Sequence, residues 1–549
     1  MNMAIMTGKT ETHPGTSHLG TFDYIIIGAG TAGCLLANRL SADPAVSVLL
    51  LEAGGKDNYM WIHIPVGYLY CINNPRTDWC FKTEAVPGLG GRAIGYPRGK
   101  VLGGSSSING MIYMRGQARD YDQWRQFGNT GWGWDDVLPF FKQHEDFMHG
   151  ADDLHGAGGE LRIEEQRSHW PILDAFRDAA AAAGIPPIKD FNRGDNTGVS
   201  YFQVTQRGGI RVNAAKAFLR PAKHRPNLRV VSQAHVSRLL LTDRRATGVA
   251  VTVAGQPSIA EARGEVILAA GALGSPQLLE LSGIGQADRL RDLGIDVLHD
   301  LAGVGENLQD HLQLRLIYNI ANALTLNERA GNLRGKAAIG LQYLLQRRGP
   351  MASAPSQLGA FAKSDPSLET ADLEYHVQPL SLDKFGEPLH AFPAITASVC
   401  HLRPESRGSS HAVSPKFDAA PAIRPNYLST PGDRRVAVEA IRLTRRILAT
   451  EPMRQYQPVE YLPGAELSSD ADLATAASAI GTTIFHPVGT ARMGNDATAV
   501  VDDRLKVHGI DGLRVIDASV MPTITSGNTN APTLMIAEKG AAMVRSDRR

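Results

Sequence analysis

The sequence predicts an α/β protein, a Rossmann-like dinucleotide-binding domain joined to a second, α+β domain. Three observations carry this. "FDYIIIGAG" is an apolar run ending in glycines, the pattern of a buried strand in a parallel sheet. "TAGCLLANRLSAD" follows with Cys34, Leu35, Ala37 and Leu40 at helical spacing, and "VSVLLLEAGG" is a second buried strand ending in Glu52, so the three make a βαβ unit. The chain has 549 residues, more than one hydrophobic core usually holds, and its texture changes near Leu312.

The elements follow in order. The first twenty residues lack the apolar stretch of a signal sequence, so residues 1–21 read as a flexible polar tail. The first domain is expected over 22–311. Within it, Trp61 to Gly116 is rich in Gly, Pro and aromatic residues with weak periodicity, and so long an irregular segment is expected to carry function. "GWGWDDVLPFFKQHE" reads as a capped helix. "NLRVVSQAHVSRLLLTD", "ATGVAVTV" and "GEVILAAGALGS" read as successive strands, and "SPQLLELSGIG" as a helix with a glycine stop. Over 312–479, strand-like "LEYHVQPL" and "AITASVCHL" mix with helical "DRRVAVEAIRLTRRILAT", which is expected to be the second domain, with a further piece inserted at roughly 160–205. "GLRVIDASVMP" restores the buried-strand style, so 480–549 is expected to return to the first sheet.

Composition narrows the function classes. Lys+Arg is 56 and Asp+Glu is 55, a net charge of +1 with no field for gripping a polyanion, which argues against nucleic acid as a partner. The four cysteines form no C-x-x-C pair and no Cys/His cluster has zinc spacing, so no metal site is expected and the thiols read as free and buried. No apolar run is long enough to span a bilayer. A cytoplasmic location follows as the expectation, with peripheral membrane contact left open.

Gly28, Gly30 and Gly33 form G-x-G-x-x-G between a strand and a helix. The first permits the tight turn, the second lets a pyrophosphate approach the backbone, and the third lets helix and strand pack closely. The helix N-terminus favours the anion. Glu52 ends the next strand at the offset of a ribose-binding carboxylate, and no Arg follows it directly, which disfavours a 2′-phosphate. NAD and FAD both use this motif, so the motif alone leaves the dinucleotide open.

"YPRGKVLGGSSSINGMIYMRG" and "GALGSPQLLELSGIG" resemble the two signature motifs of the glucose–methanol–choline (GMC) oxidoreductases, and "HPVGTARMG" and "NTNAPTLMIAEKGA" resemble that family's C-terminal part. The likeness runs from about Phe22 to the C-terminus and is greatest toward bacterial alcohol and choline dehydrogenases. It implies FAD, a discontinuous FAD domain of the GMC type, and a substrate domain forming the other wall. Carried over by motif, Gly28, Gly30, Thr31, Ala32 and Gly33 hold the pyrophosphate, and Glu52, followed by Ala53, the ribose. Val101, Gly103, Gly104, Ser105, Asn109 and Gly110 lie along the flavin side, and Val236 meets the adenine. Asp517, Ala518, Asn528 and Thr529 complete the flavin contacts.

The resemblance assigns His486, in "TTIFHPVGTARMG", to catalysis, with Asn530 as its partner. The chemistry agrees. Oxidising an alcohol by hydride transfer releases the hydroxyl proton, and a neutral imidazole is a suitable acceptor. An amide can orient the alcohol oxygen without competing for that proton. His376, Gln313 and Phe485 are expected in the substrate pocket. Two departures from choline-oxidising relatives matter. Ile108 stands where some members tether the flavin through histidine, so the FAD is expected to be non-covalent. Gln313 stands where they place a carboxylate for the trimethylammonium, so an uncharged primary alcohol, aliphatic or aromatic, is the expected substrate, with choline as the alternative. A flavin-binding protein without turnover is the alternative of another class. The electron acceptor, whether oxygen, a quinone or another carrier, and the oligomeric state are not specified by the motifs.

Overall fold

A computed structural model describes residues 16–383 and 387–548. The first sheet grows from the Ser17–Ile27 strand. Tyr24–Ile27 pairs in parallel with Val48–Leu51 on one side and Glu265–Leu268 on the other. The strand order is Leu228–Ser232, Val48–Glu52, Ser17–Ile27, Gln256–Leu268, Arg245–Val253, Ala234–Thr242. The last two join as antiparallel partners, while Leu513–Val515 adds in parallel to Gln256–Leu268. The end of the chain thus returns to the sheet on which it began.

Parallel strands buried on both faces need continuous apolar runs, and Ile25, Ile26, Leu49, Leu50, Ile267 and Leu268 are fully buried. The Thr31–Leu40 helix covers this sheet together with the C-terminal Asn530–Asp547 helix. The two are clamped by Arg39, whose Nη2 lies 2.7 Å from Oε1 of the buried Glu538.

Part of the flexible tail expected over 1–21 is strand, because the first strand begins at Ser17. Ser17 and His18 pair with Ser258 and Ile259, and Thr21 pairs with Glu261. This end of the strand is half-exposed, so it carries polar residues and reads as a tail, but the long Gln256–Leu268 strand gives its backbone a partner. Residues 1–15 of the expected tail lie outside the described residues. The thiols are free as expected, but Cys80, at φ 57 in an irregular segment, is half-exposed where all four were expected to be buried.

The second sheet is antiparallel throughout. Its order is Val459–Leu462, Leu312–Asn319, Ala394–His401, Leu373–Gln378, Leu358–Ala362, Gly198–Tyr201, with Gly481–Thr483 also on Leu312–Asn319. Alternation gives it two different faces. Leu314, Leu316, Tyr375, Val377, Ala397 and Val399 form an apolar core with the Pro431–Leu448 helix. The opposite face is polar although buried. Gln313, Cys400 and Glu374 stand in one cross-strand row, and Arg315, Ser398 and His376 in the next. Buried polar groups need partners, so this face needs something other than a hydrocarbon core against it. Among the described residues, no helix is long and apolar enough to cross a membrane.

Candidate active site

That polar face forms one wall of a cavity of about 500 Å³, and the glycine turn of the first sheet forms another. The cavity runs without interruption from Gly28, Glu52 and Val236 to Asn528, His376 and His486.

The glycines explain the first end. Gly28 has φ +98, and a Cβ there would lie 2.6 Å from the Ala269 carbonyl oxygen. A Cβ on Gly104 would lie 2.6 Å from Cα of Gly30, so the glycine turn and the first signature loop touch backbone to backbone. The Thr31–Leu40 helix begins at Gly30 without a side-chain cap, leaving its first N–H groups as a site for anions. Glu52 is buried and accepts from the N–H of Ala29 and of Gly54, each at 2.8 Å. Burial pushes its carboxyl up to about 7, against those two donors, which favour the charged form.

Most of the expected cofactor residues line this cavity: Gly28, Gly30, Thr31, Ala32, Glu52 and Ala53 at the nucleotide end, with Val236 beside them. Gly104, Ser105, Asn109, Gly110, Asp517, Ala518, Asn528 and Thr529 also line it. Three sit behind the wall. A Cβ on Gly33 would come within 1.8 Å of the Gly28 carbonyl oxygen, so this glycine serves helix–strand packing. Gly103 turns the loop at φ +90. Val101 packs against Ile62 and Ile108. Asp517 anchors the loop rather than standing free: Oδ2 accepts from Gly271 N and Ser275 Oγ, and Oδ1 from Ser519 N and Oγ.

At the other end, His486 comes directly after a strained residue. Phe485 has φ 72, a region costly for a side chain with Cβ. The strain is held from both sides. The Phe485 N–H donates to Thr483 Oγ1 at 2.7 Å, and Arg98 Nη2 donates to the Phe485 carbonyl at 2.6 Å. Asp310 holds the backbone of His486 itself, its Oδ1 accepting the His486 N–H at 2.7 Å while Oδ2 accepts from Tyr96, Thr483 and Tyr427 hydroxyls.

The ring of His486 sits in a chain of hydrogen bonds that sets its tautomer. Nε2 of His311 is 3.1 Å from the Leu402 carbonyl, which only accepts, so that nitrogen carries the proton. Nδ1 of neutral His311 then accepts from Nδ1–H of His486 at 3.0 Å. Nε2 of His486 is left as the base, and Nδ2 of Asn528 donates to it at 3.0 Å. Burial, helped by His311, His376 and Arg98, holds the His486 pKa well below the ordinary histidine value.

Asn530 also lines the cavity but bonds elsewhere: its Oδ1 accepts from the Thr31 hydroxyl at 2.9 Å. The residue in direct contact with Nε2 of His486 is therefore Asn528, which the motifs placed among flavin contacts. The Thr31 bond fixes the Asn530 amide so that Nδ2, a donor, remains for the cavity.

Phe485, Gln313 and His376 line the same end. Gln313 Nε2 donates to the Thr483 carbonyl at 3.1 Å. His376 stacks on Phe202 with ring centroids 5.2 Å apart, and its Nε2 lies 3.2 Å from Oε1 of the fully buried Glu374. Sequence reasoning missed Asp310, His311 and Glu374. "NLQDH" carries the first two visibly, but only the fold aims them at residue 486. The fold also gathers His311, Glu374 and Cys400, with ligand atoms all within 4.8 Å, a grouping of possible metal ligands that no sequence spacing suggests. Both ring nitrogens of His311 are already engaged there.

Comparisons with known proteins point one way. Two GMC oxidoreductase family models match the chain, the N-terminal one over residues 22–313 and the C-terminal one over residues 404–537. An alcohol dehydrogenase [acceptor] of Pseudomonas putida is 40% identical, covering 95% of each chain. An oxygen-dependent choline dehydrogenase of Photobacterium profundum is 41% identical, covering 95% of this chain and 92% of the relative. Among solved structures, pyridoxine 4-oxidase from Mesorbium loti superposes with a TM-score of 0.87 at 32% identity, covering 96% of this chain and 99% of the other. A formate oxidase of Aspergillus oryzae RIB40 superposes with a TM-score of 0.90 at 28% identity, covering 97% and 99%.

Proposed function

The chain belongs to the GMC oxidoreductase family, and on that premise we propose that it oxidises an uncharged primary alcohol, aliphatic or aromatic, to the aldehyde, with His486 as the base. It is an oxidoreductase of the alcohol and choline dehydrogenase type, and its cofactor is FAD. When bound, FAD supplies the acceptor for the hydride that leaves the alcohol carbon.

The residues present fit that cofactor. The uncapped helix start at Gly30, with Gly28, Thr31 and Ala32 beside it, would hold the pyrophosphate, and Glu52 the ribose. Ser105, Asn109, Ala518, Asn528 and Thr529 would border the flavin, where Asn528 Oδ1 is a buried acceptor still lacking a hydrogen bond. Ile108 lines the same wall and offers no nucleophilic atom, which supports non-covalent binding.

The single observation that carries the reading is the free base at the end of the histidine chain. Nε2 of His486 accepts the hydroxyl proton, after the alcohol O–H has replaced the Asn528 amide as its donor. The proton enters a ring whose other nitrogen already donates to His311, so the imidazolium forms without reorientation. Asn530, its amide set by Thr31, donates Nδ2–H to the alcohol oxygen and holds it for transfer. Phe485 and Gln313 offer no charge to a cation, which supports a neutral substrate.

A second reading, choline or a similar cation, has one observation in its favour. Glu374 stands in the same cross-strand row as Gln313, and its Oε1 has no hydrogen bond. That carboxylate lies behind His376 rather than in the cavity wall. The test is anaerobic flavin reduction by benzyl alcohol, hexanol and choline. Bleaching by any of them removes the non-catalytic alternative. The neutral alcohols are expected to give the higher kcat/KM; a higher value for choline, lost in Glu374→Gln while hexanol oxidation is spared, would establish the second reading instead.

A further inference from the structure

The Leu333–Gln346 helix turns its apolar face to water. Only Ile339 and Tyr343, one turn apart, are buried, and the Tyr343 hydroxyl donates to the Gly209 carbonyl at 3.0 Å. At 100° per residue, Leu333, Ala337, Leu341, Leu344 and Leu345 fall on the opposite arc. Leu333 is 84% exposed, Leu341 57%, Leu344 69% and Leu345 75%. A monomer gains nothing from four leucines held in water on one helix, so the face calls for a cover.

The charge around it says what kind. After the exposed Glu328, from Arg329 to Gly349, the chain carries five Lys or Arg residues and no Asp or Glu, whereas the whole chain is balanced at 56 to 55. Arg334, Lys336 and Arg348 are exposed on or beside the helix. A second copy of this chain, packed about a twofold axis, would set these cations against themselves. A surface with an apolar interior and an anionic skin complements them: leucines reach the headgroup boundary while the cations meet phosphates. The chain leaving this helix runs through Pro350–Ala352 to Pro355 and Ser356, which line the cavity. We propose that the Leu333–Gln346 helix is a peripheral docking face for an anionic lipid bilayer. The proposal stands independently of which alcohol is oxidised.

The experiment is co-sedimentation of the FAD-loaded protein with vesicles of phosphatidylcholine alone and of an equal mixture of phosphatidylcholine and phosphatidylglycerol. Binding is expected to the mixed vesicles, falling as salt rises. Combining Leu341→Ser, Leu344→Ser and Leu345→Ser should weaken it by about tenfold or more. Combining Arg334→Gln, Lys336→Gln and Arg348→Gln should remove the preference for the anionic vesicles. Neither set touches the cavity, so oxidation of a small water-soluble alcohol should be unchanged, which shows that the variants are folded. Protein left in the supernatant with both vesicle types at low salt overturns the proposal. So does equal binding by the leucine variant, or a solution dimer without vesicle binding that the leucine variant converts to monomer.

Discussion

Thr31 donates its hydroxyl to Oδ1 of Asn530 at 2.9 Å, across 499 positions of sequence. The glycine turn that opens the first helix thereby sets the amide at the start of the last one, and on the proposed function this bond links cofactor binding to alcohol positioning. Asn530→Ala should slow flavin reduction by about 10- to 100-fold, the worth of one donor to a developing charge. Thr31→Val keeps the amide but frees it to flip, and should cost less, about 3- to 10-fold. Stopped-flow reduction under anaerobic conditions measures both. Equal rates for Thr31→Val and wild type would show that the bond positions nothing.

His486→Ala should retain FAD, since the glycine loops and Glu52 lie on other elements, while reduction falls by about 10²–10⁴-fold. A fall of less than about threefold, under ~1 kcal/mol in the barrier, would remove His486 from catalysis.

The pH profile follows from the direction of the His486 shift. Its pKa in the fold lies well below the ordinary value of about 6.5, chiefly through burial, so the base is already neutral at pH 6.5. The reduction rate should be flat from about 6.5 to 8 and fall only on the acid side. Stability shares that sign. The unfolded ring takes up a proton near 6.5 and the folded ring only below that, so this group's contribution is full above about 6.5 and is lost as pH drops through the folded value. A rate that climbs with a midpoint at or above 6.5 contradicts the burial argument.

Asp310 should act through position rather than contact. Four donors converge on it, among them the backbone N–H of His486. Asp310→Ala leaves those donors buried without an acceptor, at about 1–3 kcal/mol each. The melting temperature should drop, and kcat should fall more than KM rises, because His486 is misaimed while the pocket keeps its walls. An unchanged kcat in the folded variant would refute this.

The flavin should be released intact by acid precipitation, because Ile108 offers no atom for a covalent link. Colour left in the washed pellet would contradict the non-covalent reading.

Local pattern was enough for the βαβ unit, the glycine turn with Glu52, and the return of the last strand, because each follows from the periodicity and chemistry of neighbouring residues. The signature motifs likewise pointed to FAD and to His486. What the sequence left undecided was the pairing of residues far apart. That Asn528 rather than Asn530 meets Nε2 of His486 depends on how the loop before the last helix turns, and both asparagines look alike in "SGNTNAP". Asp310 and His311 sit 176 and 175 positions from the residue they hold, so no local window reveals them. Glu374 joins Gln313 in one row only because an intervening strand places Cys400 between them. The pKa of His486 belongs to the tertiary structure for the same reason: its burial and the nearness of Arg98 arise from packing, and a histidine in a sequence carries neither.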